Sequence, residues 1–188
     1  GNQWVGLRFP GINLPKGAQI INAYIQFETD ETGSTATSLQ VRGFAQDATT
    51  AFTTATRNIS SRPVTQSVVS WNNLSAWNKL DEKHETPNLA PIVQEVINRA
   101  GWQTGNAIGF VLTGTGRRTA EAHNGEAAAA AKLFIQYSGG QPTNQSPTAN
   151  AGADITLTLP NDTVNLSGQV ADDGLPGTGL TTTWSQVS

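Results

Sequence analysis

The chain has 188 residues, a formal net charge of -3, 13% charged side chains, no cysteine and no methionine. The cysteine count excludes a disulfide framework, a Cys-ligated zinc site and a thiol nucleophile. The few, scattered Lys and Arg leave no nucleic-acid footprint, and no apolar run reaches the ~20 residues of a membrane span. Abundant Thr, Asn, Ser, Gly and Gln beside so little charge suit a protein outside the cell, whose contacts run through hydroxyls and amides. With no Met and a start at Gly1, the chain is expected to be a processed or excised piece whose export signal lies upstream.

Val5, Leu7 and Phe9 alternate with Gly6 and Arg8, which predicts a half-buried strand ending at Pro10-Gly11. Ile21, Ala23, Ile25 and Phe27 predict a second strand, and Leu39, Val41, Gly43 and Ala45 a third. Residues 47–66 are polar and aperiodic and read as a long surface loop before a short strand from Ser67 to Trp71. Leu89, Ile92, Val93, Val96 and Ile97 form one helical stripe between Asn88, a candidate cap, and Gly101, a candidate left-handed stop. That helix would cover the core as a lid. Ala107 to Thr113 reads as a central strand and Lys132 to Tyr137 as a closing one, with the alanines 127–131 running extended into it.

Ser138 to Pro147 is small, polar and breaks both helix and strand, so it marks a linker between two β-type segments. The expected domains are 1–138, a linker at 139–147, and 148–188. In the last segment Ile155/Leu157/Leu159, Val164/Leu166/Gly168/Val170 and Leu180/Thr182/Trp184 predict three strands of a sandwich that ordinarily has about seven.

Trp4-Val5-Gly6-Leu7-Arg8-Phe9, Ile20 to Phe27, Val69-Ser70-Trp71 with Trp77, Thr86-Pro87-Asn88-Leu89 before the helix, and Lys132 to Tyr137 are similar in order and spacing to a jelly-roll β-sandwich module of secreted bacterial proteins. The module resembles the DNRLRE-type and disaggregatase-related domains, some of whose relatives are carbohydrate-binding modules. Thr148 to Asp154 and Thr183 to Ser188 resemble parts of a polycystic kidney disease (PKD) type immunoglobulin-like repeat. The resemblance implies that strands precede Trp4 in the family, that both sandwiches are incomplete here, and that neighbouring domains or identical protomers complete the exposed edges. The fold class is therefore all-β: a jelly-roll-like β-sandwich with one covering helix, linked to a partial immunoglobulin-like sandwich.

Asp81, Glu82, His84 and Glu85 crowd a segment before the helix that reads as a solvated loop. Glu121, His123, Asn124 and Glu126 form a second polar cluster, and Asp30 and Glu31 an acidic tip. Glu121, Asn124, Asp30 and Glu31 are candidate oxygen ligands for a structural calcium, although no EF-hand spacing is present. Trp4, Trp71, Trp77 and Trp102 could each stack on a sugar. Trp77, between Asn73 and Asn78 in a polar loop, is the candidate expected to be exposed, with a polysaccharide or cell-surface glycan as partner. No catalytic motif occurs, so no enzyme is expected. The leading expectation is a non-catalytic extracellular module for adhesion, carbohydrate attachment or scaffolding. The alternatives are a filament subunit completed by strands of neighbouring protomers and an accessory domain of a secreted hydrolase.

Overall fold

The computed structural model describes residues 3–140, 145–160, 163–173, 180–183 and 185. The chain divides into two compact units, Gly1–Gln141 and Pro142–Ser188. The first is built of antiparallel strands with a single short helix, the all-β architecture that the alternation predicts.

In chain order the first unit contains β1 (Val5–Phe9), β2 (Ala18–Glu31), β3 (Ser38–Phe44), β4 (Val64–Trp71), β5 (Lys83–Glu85), α1 (Ala90–Ile97), β6 (Ile108–Thr115), β7 (Thr119–Ala120) and β8 (Lys132–Gly139). One sheet runs β1-β6-β3-β4. The other is organised on β2, which pairs β5 along one edge and β8 then β7 along the other. Ile20, Ala23, Ile25 and Phe27 of β2 meet Val41, Ile108, Phe110 and Leu112 of the facing sheet in one core. Each of the larger side chains, Ala23 excepted, contributes roughly 1.5–3 kcal/mol by leaving water.

α1 buries Ile92, Val93, Val96 and Ile97 and packs on β2, β3 and β4, so it fills the gap between the layers on one side of the sandwich. It is shorter than the stripe suggests. Leu89 is the N-cap position, while Asn88 sits one residue earlier and its Oδ1 accepts hydrogen bonds from Ala90 N at 2.8 Å and from Ala23 N at 3.1 Å. The helix stops at Ile97 with a right-handed Asn98 as C-cap, so Gly101 lies beyond it and is not the stop residue.

Three further expectations are corrected. Lys83-His84-Glu85 is a strand and not a solvated loop, because the exposed edge of β2 supplies its backbone partners. The alanines 127–131 do not run extended; Ala129 N and Ala130 N both donate to Glu126 O, at 3.1 and 3.0 Å, in a turn that ends just before β8. In the second unit only β9 (Thr148–Asn150) and β10 (Gln169–Ala171) pair among the described residues. Ile155, Leu157 and Leu159 are exposed and belong to no strand, as do Leu166 and Leu180; Trp184 and Gln186–Ser188 lie outside the described residues. A period-two pattern offers an apolar face, but a strand forms only where a neighbour accepts its hydrogen bonds and a second layer covers that face.

Candidate functional site

The four tryptophans among the described residues do not share one environment. Trp102 is 1% exposed, its Nε1 donating to Leu14 O at 3.1 Å. Trp71 is half-buried against Phe27. Trp77, expected on the surface, is 3% exposed. Its backbone forms a two-way bridge with Gly33, with N···O distances of 2.8 and 2.9 Å, and its indole stacks on His84 with centroids 4.4 Å apart and 5° between planes. A buried indole offers no face to a sugar, so Trp77 is removed as a stacking residue. Its flanks do sit outside: Asn78 is exposed, and Asn73 is an exposed turn residue with φ 51° whose N donates to Ser38 Oγ at 3.2 Å.

Among the described tryptophans Trp4 is the exposed one, at 45%. Period two places Trp4, Gly6 and Arg8 on the outer face of β1, away from the core. The loop between β3 and β4 lies on that face. Gly6 makes room for it, since a Cβ there would stand 2.8 Å from Phe52 Cζ, and Arg8 Nε donates to Thr49 O at 2.7 Å. Trp4 thus closes one end of a shallow cleft of about 260 Å³ whose other walls include Thr53, Arg57, Asn58 and Ser60.

Arg62 fixes the loop from behind. Its guanidinium donates to Thr50 O at 2.7 Å, Ala51 O at 2.9 Å and Asn58 O at 2.8 Å, and lies 4.8 Å from the centre of the Phe52 ring. Asn58 Oδ1 accepts from Thr53 N at 2.9 Å and from Arg62 Nη2 at 3.1 Å. The polar wall of the cleft is therefore held before any ligand arrives, which reduces the ordering cost of binding. Sequence reading missed this site because the loop is aperiodic; the parity of Trp4 with Gly6 and Arg8 was the signal available.

The candidate calcium ligands are only partly brought together. Asp30 and Glu121 are neighbours across the β2–β7 edge. Partial burial and the carboxylates of Asp30, Glu126, Asp81 and Glu28 hold the Glu121 carboxyl above its usual range. Glu31 is instead paired with Arg117 and accepts from Thr119 Oγ1 at 3.2 Å. Asn124 is exposed in the turn closed by Gly125 N donating to Ala122 O at 2.9 Å. Among the described residues no three His, Asp or Glu side chains converge as a metal-holding group. Calcium takes roughly six to eight oxygens, so these residues do not fit a preformed calcium cage.

His84 is half-buried against the Trp77 ring. Desolvation first, and then the nearby Arg118, lower its pKa from the ordinary 6.5 against the opposing pull of Glu82, whose Oε2 is 3.5 Å from Nε2. Because the folded pKa lies below the unfolded one, the unfolded chain takes up protons first as pH falls. The neutral ring's contribution is complete above 6.5 and is lost below it, down through the folded value. We expect the urea midpoint to fall from about pH 7.5 to pH 5, and His84→Phe, which keeps an aromatic ring on Trp77, to reduce that fall. An equal fall in the variant would remove His84 as its cause.

No family model, curated protein or solved structure matches this chain. Among the described residues no helix is long and apolar enough to cross a membrane.

Proposed function

We propose that the first unit is a non-catalytic glycan-contacting module of a secreted or cell-surface protein, in the style of the jelly-roll modules that its strands resemble, and that the second belongs to a PKD-type spacer. The supporting observation is the Trp4 cleft: one exposed indole beside hydroxyl, amide and guanidinium groups on a braced loop. An aromatic face packs against the apolar C–H face of a sugar, while amides and hydroxyls bond its rim. At about 260 Å³ the cleft is below the roughly 300–1,000 Å³ of enclosed small-molecule pockets. An open site of that size suits one or two rings of a polymer that continues past it.

Affinity electrophoresis through gels containing a β-glucan, a xylan or a soluble chitin derivative tests this reading. Wild-type protein should be retarded by at least one polymer. Trp4→Ala should lose that retardation while its unfolding free energy stays within about 0.5 kcal/mol, as expected of a surface change. Free migration of the wild type in every gel, or equal retardation of the variant, would contradict it.

A further inference from the structure

Sheet edges left unpaired tend to recruit another strand, and folded proteins ordinarily guard them. Two of the edges in the first unit are guarded by the segment that carries α1. Along β2, Thr86 Oγ1 accepts from Ile25 N at 3.1 Å, Asn88 Oδ1 from Ala23 N at 3.1 Å and Gln94 Oε1 from Ile20 N at 2.9 Å. Along β4, the Glu95 carboxylate accepts from Gln66 N and Ser67 N, both at 2.8 Å. Burial alone would raise the Glu95 pKa, and these bonds hold it below the ordinary value.

Among the described residues of the first unit, none guards the outer edge of β8 in this way. There β8 pairs with β2 alone; it is eight residues long, lacks Pro, and carries one charged residue, Lys132, at its first position. Its inward side chains are poorly covered: Leu133 and Ile135 are only half-buried, and Tyr137 is 42% exposed. On the outward side Phe134 is 40% exposed and stacks on Tyr24 with centroids 5.0 Å apart.

We propose that β8 is a self-association edge, pairing antiparallel with β8 of a second copy of this chain about a twofold axis through Ile135. Residues directly opposite in an antiparallel pair lie on the same face, so the register must join inward to inward side chains. A twofold at Ile135 satisfies that rule, setting Leu133 against Tyr137 and Ile135 against its equivalent, and Phe134 against Gln136. It also sets Lys132 against Ser138, so the two lysines fall at opposite ends of the ribbon, about 20 Å apart at ~3.4 Å per residue. The strand is thus complementary to itself in both apolar pattern and charge. The contact is isologous and closes as a dimer.

Analytical ultracentrifugation of the full chain tests the proposal through Ser138, which is exposed and on the outward face beside Gln19. Wild-type protein should show a concentration-dependent monomer–dimer equilibrium. Ser138→Lys places like charges opposite each other twice and should weaken the dimer about tenfold, while Ser138→Glu places Glu opposite Lys132 twice and should tighten it. Circular dichroism should show the same folded spectrum for all three proteins. A monomer throughout the concentration range, or a dimer that responds equally to Lys and Glu, would overturn the proposal. So would an open-ended series of larger oligomers, which a closed twofold contact cannot produce.

Discussion

Trp77→Ala should destabilise the first unit by about 3–5 kcal/mol, the cost of emptying a large aromatic site in a packed core. The indole is 3% exposed, stacks on His84 and lies 6.5 Å from the Phe27 ring centre. Its removal leaves a cavity that the Gly33–Trp77 backbone bridge keeps from collapsing, because that bridge holds the segment in place whatever the side chain. Urea unfolding followed by far-ultraviolet circular dichroism measures the effect, and Trp77→Phe should recover a substantial part of it. A loss below about 0.5 kcal/mol, the range of surface substitutions, would return Trp77 to the surface.

Gly114→Ala should be comparably severe, for a backbone reason. Gly114 faces Leu39 across the β3–β6 ladder with φ of 147°, a region closed to residues with a side chain. A Cβ there would press on the Ser38 carbonyl oxygen and stand 2.9 Å from Leu39 Cα. Forcing the backbone conformation costs about 1–3 kcal/mol. Relieving the clash by parting β3 from β6 also weakens two central strands. We expect a total of roughly 3 kcal/mol or more, read as a lower urea midpoint and faster amide exchange at Val41 and Leu112, which are paired in the same ladder. Unchanged exchange at those amides would contradict this account of the strand contact.

The long strands were legible because each carries its own pattern. Val5/Leu7/Phe9 and Ile108 to Leu112 announce a half-buried and a fully buried strand from their side chains alone. Lys83-His84-Glu85 could not be read that way, since three polar residues form a strand only because β2 presents an open edge to them. Trp77 was misread for a related reason: its neighbours are polar, and the partner that draws it inward, Gly33, is distant in sequence. In the second unit the failure ran the other way. Ile155, Leu157 and Leu159 show clean alternation yet remain exposed and unpaired with any described strand. Local pattern sets what a segment can become, and tertiary partners decide whether it does.

The candidate site follows the same logic. Its aromatic component was among the residues singled out by type. Which tryptophan faces outward depended on the braced loop over Gly6 and on the placement of Arg62, neither visible in an aperiodic stretch. The edge guards Thr86, Asn88, Gln94 and Glu95 were likewise hidden, because their role is defined by backbone groups far along the chain.

On the proposed function Trp4, and not the buried Trp77, is the aromatic surface that meets ligand. Resolving the indole N–H signals by heteronuclear NMR, while titrating in oligosaccharides from the polymer that best retards the protein, tests it most directly. The Trp4 signal should shift with ligand concentration while those of Trp77 and Trp102 stay fixed. Movement of the Trp77 signal alone, or of none, would contradict it.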